Sequence, residues 1–537
     1  MNITESEQLL FTRAIPSAEA IPVIFAFPNE YSVGITSLGY QIIWASLAMR
    51  SDLQVSRLFT DWQEYLPPQP ELIGFSFSWE LDYVNILNIL ESLAIPIDAA
   101  VREDDHPLVF GGGPVLTANP EPFAAFFDVI LLGDGEELLS NFIDTYQKVR
   151  NSDRLSKLRH LAQIPGIYVP SLYKVTYESL EGEITAIEPI DTDIPPQVTK
   201  QTYRSNVLSA STVVTPKAAW ESIYMVEVVR SCPEMCRFCL ASYLTLPFRT
   251  ASLESSLIPA IERGLEVTNR LGLLGASVTQ HPEFESLLDY LTQPKYADIR
   301  VSIASVRTNT VTEKLARTLA SRDTRSLTIA VESGSDKIRK IVNKKLDNAE
   351  IIQAAINAKA GGLKALKLYG MVGIPQEDMS DLEATVNMLK EMKKAAGGLR
   401  ITFGCSTFVP KAHTPFQWLG VNPEAKKRLP WLEKQLAKQG IDLRPESYNW
   451  SVIQALISRG DRRLTEVLKL TRSYGDSLGS YKRAFKELRG KLPPLDFYVH
   501  QNWSTDTILP WHHLKGPLTR ETLAKHLKEA LSVSADN

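Results

Sequence analysis

Three of the four cysteines in this 537-residue chain, Cys232, Cys236 and Cys239, stand together in the run "VEVVRSCPEMCRFCLASY". The spacing C-x-x-x-C-x-x-C gathers three thiolates on one short loop, enough to hold three corners of a cubane [4Fe-4S] cluster and to leave one iron without a protein ligand. An electron carrier would complete the set with a fourth cysteine, and a structural zinc site would close it with Cys or His. The remaining cysteine, Cys405, lies far along the chain, and no His is near the triad in sequence. The bland readings are a zinc knuckle or a cysteine cluster in a core. Cys405 itself, in "RITFGCSTFVP", reads as a small buried hydrophobe.

A loop of this kind needs elements to hold it. From "YMVEVV" onward a strand-helix alternation repeats about six times, with strands starting near Tyr224, Leu273, Arg300, Leu327, Ala365 and Arg400. Six βα units imply a partial (βα)6 TIM barrel, open on one side, with its active site at the strand C-termini. The cysteine loop directly follows the first strand. The earlier part of the chain also alternates, with apolar runs at Ile21, Leu72, Pro107 and Phe127 separated by helical patterns, so a doubly wound parallel sheet is expected there. Ligands of such sheets bind beyond the strand C-termini. That edge carries Tyr31 and Gly34, then Ser76 and Ser78, then Gly111, Gly112 and Gly113, then Gly133 and Gly135. The expected fold class is α/β in four segments: the sheet domain (1–149), a β-rich connector (150–220), the barrel (221–418) and a mostly helical C-terminal domain (419–537).

Length alone suggests about three domains. The composition, 44% hydrophobic and 22% charged, is that of an ordinary globular protein. A net charge of -4 argues against a general nucleic-acid surface, although Val421–Lys491 carries a local basic excess that suits solvated helix faces, an anionic substrate or RNA. Four cysteines make no disulfide framework, and an exposed cluster needs a reducing compartment. No basic-then-apolar leader pattern opens the sequence and no apolar run reaches about 18 residues, so a cytoplasmic protein without a membrane span is expected.

The cysteine triplet, with Phe238 just before its third member, resembles the signature of the radical S-adenosylmethionine superfamily. The resemblance implies that the open iron chelates the amino acid end of the cofactor, which on reduction yields a 5'-deoxyadenosyl radical. It also implies roles for residues in the order they follow the loop. "LGLLGASVTQHPEF" is similar to the segment that usually reads Gly-Gly-Glu-Pro, with Gly275, Ala276 and Ser277 in its place and the acid missing. Ser305 and Arg307 end the third strand, where the Arg307 fork suits the cofactor carboxylate. "TIAVESGSDKIRKIVNKK" resembles the E-x-G-S turn, with Glu332 and Ser333 toward the ribose or the amino acid end. "LKLYGMVGIPQED" resembles the adenine-binding stretch, with Gly370, Gly373 and Ile374 at its positions.

The sheet preceding the barrel resembles the class with an N-terminal cobalamin-binding domain, through "AFPNEYSVGITSLGYQIIW", "GFSFSWELDYVNIL" and "PLVFGGGPVLTANPEPFAAFFDVILLGDGEE". The likeness extends to "FVPKAHTPFQW", "LISRGDRRL" and "ILPWHHL". It implies methyl transfer to an unreactive carbon. The axial-ligand motif D-x-H-x-x-G is absent: Asp104 and His106 come nearest, but Val109 replaces the glycine. Cobalamin would therefore bind base-off, cradled by Ser76, Ser78 and the Gly111 to Gly113 turn, or the domain keeps the fold without the ligand. Alternatives are an oxidative or ring-forming radical enzyme, a methylthiotransferase of transfer RNA, and a non-catalytic iron–sulfur redox sensor. An electron donor such as flavodoxin or ferredoxin is the implied partner.

Overall fold

The computed structural model describes residues 3–304 and 306–533. Ser305, one of the expected site residues, lies outside the described residues. The chain forms two compact units, neither continuous in sequence. The first takes the residues up to Tyr203, then Ser211–Ser222 and Ile453–Thr519; the second takes Arg204–Ala210, Ile223–Val452 and the stretch from Arg520 onward.

The first unit is built on a six-stranded sheet of β1 (Ile21–Ala26), β2 (Leu53–Leu58), β3 (Leu72–Ser76), β4 (Leu108–Gly112), β5 (Val129–Leu131) and β6 (Ile167–Tyr168), hydrogen-bonded in the order β2-β1-β3-β4-β5-β6. All neighbours are parallel except β6, which runs antiparallel to β5. Val23, Ile24 and Phe25 on β1, and Leu72, Ile73 and Phe75 on β3, are all buried, as strands covered on both faces must be. The polar run "LQVSRL" concealed β2. There Arg57 is buried by two carboxylates, donating to Glu7 at 2.6 and 2.8 Å and to Glu64 at 3.1 Å, and its guanidinium lies 4.1 Å from the Trp44 ring centre.

Two of the four expected segments are not separate bodies. The connector joins the first unit through helix Arg154–Leu161, β6 and the hairpin Tyr173–Tyr177/Ile184–Pro189. The expected C-terminal helical domain is divided between the units, because its polar groups complete older elements. In the first unit Tyr481 and Tyr83 share a hydrogen bond of 3.0 Å between hydroxyls, and Asn119 donates to the carbonyls of Ser458 and Gly460 at 3.2 and 2.8 Å. Glu121, 1% exposed, accepts from Arg462 at 2.6 Å and from the Tyr168 hydroxyl, with His513 at 3.6 Å. Much of "LISRGDRRL" and "ILPWHHL" is thereby structural.

The second unit carries seven parallel strands: β7 (Ile223–Glu227), β8 (Arg270–Leu274), β9 (Arg300–Ile303), β10 (Ser326–Glu332), β11 (Ala365–Val372), β12 (Arg400–Thr407) and β13 (Asp442–Pro445). They pair in sequence order, and a single parallel bridge from Val306 to Ile329 joins the first three to the last four. The six expected strands are present. The second begins at Arg270 rather than Leu273, and β13 adds a short edge strand closed by Pro445. On β11, Leu366 and Leu368 are buried on the helix-covered side, while Lys367 and Tyr369 are exposed on the other, which is the lumen. Among the described residues no helix is long and apolar enough to cross a membrane.

Replacing Arg462 by Ala should strip the buried Glu121 of its cation and lower stability by about 3–5 kcal/mol. Equilibrium urea unfolding followed by far-ultraviolet circular dichroism measures this, and a change under about 1 kcal/mol would show that the pair is not the lock described.

Candidate active site

The cysteine loop leaves β7 through a short antiparallel pairing of Val229–Arg230 with Arg249–Thr250. Its tight path places two non-glycine residues, Ser231 and Met235, at positive φ (71° and 56°), a cost that the surrounding hydrogen bonds must offset. Cys232 N–H donates to the Ala241 carbonyl at 3.1 Å and Cys239 N–H to the Cys236 carbonyl at 2.9 Å. The segment after β10 braces the loop from the side. Asn343 donates to the carbonyls of Glu234 and Met235, and Arg237 donates to those of Lys340, Ile341 and Val342, all within 3.2 Å.

Cys236 is buried, and Cys232 and Cys239 are half-buried. Burial pushes the Cys236 thiol up to about 12, with the Lys344 ammonium pulling the other way. Burial also raises the Cys239 thiol against hydrogen bonds from the Ala241 and Ser242 backbone. Thiols of this kind lose their protons to a metal rather than to water. Among the described residues no three His, Cys, Asp or Glu side chains converge on a point where one ion would sit. Three thiolates on one loop suit a cubane, which spreads its ligands over separate irons.

Glu332 ends β10 at φ 65°, where a register shift against β11 turns it toward the cysteines, and it pairs with Lys344 at 3.0 Å. Burial disfavours the Lys344 ammonium, yet Glu332 and the Cys236 thiolate together hold its pKa above the usual value. Ser333 is placed differently from expectation. Its hydroxyl accepts from Ser335 N–H at 3.1 Å and meets Thr385 at 3.3 Å, so it anchors the turn to helix Met379–Ala395.

Arg307 is already engaged on three sides: with Glu234 at 2.8 Å, Asn309 at 2.8 Å and the Lys345 carbonyl at 2.9 Å. A grip on the cofactor carboxylate requires exchange of one of these. Glu234, from within the cysteine loop, was not singled out by sequence. It also accepts from Gln280, whose own carbonyl accepts from Ser277 at 2.5 Å. An acid from another loop is therefore linked to Ser277 through Gln280. Gly275 itself is required by packing, since at φ 150° a Cβ would come within 2.6 Å of the Val229 carbonyl oxygen.

At the adenine stretch, Gly370 lies across from Glu332, and a Cβ there would fall 2.7 Å from the Glu332 carbonyl oxygen. Gly373 takes φ 82° and donates to Glu377 at 2.7 Å, while Ile374 is fully buried. Glu377 is the acid that sequence reading left unassigned. It pairs with Arg428 at 2.8 Å, but burial still raises its pKa to about 7. Phe238 is half-buried within the cysteine loop.

The rim of the first unit is a separate matter. The strand order β2-β1-β3-β4-β5 places its topological switch point between β1 and β3, where ligands of such sheets bind. Four of the expected glycines meet their own protein: a Cβ would lie 2.5 Å from Phe127 at Gly111, 2.5 Å from the Phe77 carbonyl oxygen at Gly113, 2.1 Å from the Gln201 carbonyl oxygen at Gly133 and 2.6 Å from Ile43 at Gly135. Among these five, Gly112 alone would carry a Cβ at ordinary contact distance, with nothing nearer than 3.7 Å. Ser76 is half-exposed, and Ser78 and Trp79 are exposed. His106 precedes β4, at the opposite end from the strand C-termini, and accepts from Glu103 N–H at 3.0 Å.

Part of the chain matches a known family. The description "Radical SAM superfamily" matches residues 226–389. The chain carries a radical SAM domain. Its cofactors are accordingly a [4Fe-4S] cluster and S-adenosylmethionine, and the protein is an enzyme. Residues 67–170 match "Radical SAM proteins, N-terminal". An uncharacterised protein of Methanocaldococcus jannaschii is 27% identical over 86% of this chain and 94% of its own length. An uncharacterised methyltransferase of Pyrococcus horikoshii is 25% identical over 54% of this chain and 59% of its own. Among solved structures, the radical S-adenosylmethionine methyltransferase TsrM of Kitasatospora setae, with cobalamin and a [4Fe-4S] cluster bound, shares the fold over 72% of this chain and 75% of that one, with a TM-score of 0.50 and 13% identity.

The raised pKa of Glu377 fixes the sign of a pH effect. Between the ordinary value of 4.5 and about 7, the unfolded chain ionises this group while the folded protein keeps it protonated, so folding loses stability as pH rises through that window. The stability of the native sequence relative to Glu377→Gln should fall by up to about 3 kcal/mol from pH 4.5 to pH 7 and then level off. Urea unfolding of both proteins across the range checks this; a flat difference would mean that Arg428 keeps Glu377 ionised throughout.

Proposed function

We propose that the protein is a cobalamin-dependent radical S-adenosylmethionine methyltransferase acting on an unreactive carbon. The observation that carries the reading is the three-thiol loop at the C-terminal end of β7, in a chain that also holds a sheet of the strand order 2-1-3-4-5. The methyltransferase name of the Pyrococcus relative supports it, as does a shared fold with a protein whose structure holds both groups.

When bound, the cluster and S-adenosylmethionine supply a radical initiator and cobalamin supplies a methyl carrier. Everything else falls to the chain. Cys232, Cys236 and Cys239 hold the cluster. Lys344 places a positive charge beside Cys236, and Glu332 fixes that ammonium in turn. Glu234, with Gly275, Ala276 and Ser277, offers an acid and backbone carbonyls to an amino group, and Arg307 lies ready for a carboxylate. Gly370, Gly373 and Ile374 present backbone to the adenine. Ser76, Ser78 and Gly112 are the rim positions left for cobalamin, held without a protein histidine. The reducing chemistry calls for an electron donor such as flavodoxin or ferredoxin and for a reducing compartment, the cytoplasm.

One observation favours a second reading, a radical enzyme without cobalamin: packing already accounts for three of the five rim glycines. A methylthiotransferase is disfavoured, because no cysteine precedes Cys232 to form a second triad.

Anaerobic reconstitution with iron, sulfide and hydroxocobalamin separates these. About four irons and one cobalt per chain, with deoxyadenosine released from S-adenosylmethionine after reduction, are expected. Retention of iron without cobalt would remove the methyl-transfer reading and leave the second. Cys236→Ala should lose the cluster absorbance and the deoxyadenosine together; full activity in that variant would refute the assignment of the loop.

A further inference from the structure

We infer that the lumen face of β11 to β13 is the substrate subsite and that it takes a planar organic anion, a flat apolar body carrying a carboxylate or phosphate. The inference rests on the radical reading of the barrel and names its substrate class.

A cavity of about 580 Å³ opens on this face, a size typical of small-molecule sites. Lys367 lines it from β11, an interior strand of the barrel sheet. Its register partners are the neutral Thr328 and Thr402, and among the described residues its side chain has no hydrogen bond or ion pair. Its ammonium is exposed to the lumen with no acid across from it on either neighbouring strand, so it is free to meet an anion there. Arg444 projects from β13 in the next layer, where Tyr369, Gly404 and Arg444 share one register row. Its one ion pair is a long contact to Asp442, at 3.4 Å. Of the acids on the cavity wall, Glu332 is matched by Lys344, and Glu446 is exposed at the rim beyond β13. Among the described residues Lys367 is therefore the unpaired charge on the wall away from that rim.

Tyr369 supplies the flat surface. Its ring lies on Gly404, where a Cβ would come within 2.8 Å of the ring, and the residue stays 56% exposed. A tyrosine seated on bare backbone with its remaining surface free is a stacking platform. Lys367 lies about 16 Å along the strand from Val372 at the β11 C-terminus, so the ligand it serves extends into the lumen, away from the cofactor positions at the strand ends.

The test uses the full-length reconstituted protein with benzoate and phenyl phosphate as probes, benzamide as the neutral control and acetate as the anion without a flat apolar body, each titrated by saturation-transfer nuclear magnetic resonance. Benzoate or phenyl phosphate should bind more tightly than benzamide and acetate, and the preferred probe tells a carboxylate subsite from a phosphate one. Lys367→Met should weaken anion binding by roughly tenfold while retaining its iron, with Lys367→Arg restoring it. Equal binding of benzoate, phenyl phosphate and benzamide, or unchanged anion binding in Lys367→Met, would overturn the inference. Anion binding by a protein that releases no deoxyadenosine would leave the subsite standing and remove the proposed function instead.

Discussion

Burying thiols that must become thiolates is the constraint around which the second unit is arranged. An apolar enclosure raises a thiol pKa, and a cluster needs the charged form. The chain answers with a cation of its own, Lys344, which is itself buried and therefore needs Glu332. Glu332 reaches its place only because β10 breaks register and takes a left-handed backbone at its last residue. Gly370 on the neighbouring strand must then be a glycine, for any side chain would strike the displaced carbonyl. One electrostatic requirement thus propagates through a lysine, a glutamate, a backbone irregularity and a glycine on a third element.

The elements were legible where local pattern and tertiary environment agree. The apolar runs of β1, β3, β4 and β5 and the six βα repeats needed nothing beyond periodicity, and the cysteine spacing marked the site unaided. The hidden elements share one cause. Strand β2 is polar in sequence and buried only because Glu7 and Glu64 neutralise Arg57, and β13 is too short and proline-bounded to read as a strand. The same cause hid Lys344 and Glu234. Each is an ordinary surface residue by type, and each acquires a role from groups distant in sequence. The engagement of the Ser333 hydroxyl with Ser335 and Thr385 was likewise invisible, because a motif position does not disclose which way a hydroxyl turns.

The glycines of the first unit illustrate how a family pattern can have two origins. Gly111, Gly113 and Gly133 are demanded by Phe127, the Phe77 carbonyl and the Gln201 carbonyl, so close packing alone would select them, while at Gly135 only the tip of Ile43 would have to move. Gly112 is not so constrained. In a sheet whose switch point lies between β1 and β3, the informative positions are those that packing leaves unexplained, and they are few.

The division of the chain into interleaved units bears on how the protein is made. The first unit is interrupted after Ser222 and resumes only at Ile453, so that the partner of Glu121, Arg462, emerges from the ribosome after the whole barrel has been synthesised. Until then the first sheet exists with a buried carboxylate and no cation, while the barrel strands have almost all their neighbours at hand. Local completion of the barrel can therefore precede that of the sheet domain that begins the chain. The three cysteines, Lys344 and Glu332 all precede Arg462 in the chain, whereas His526 and Glu529, which meet Tyr243 and Arg237 beside the cysteine loop, follow it.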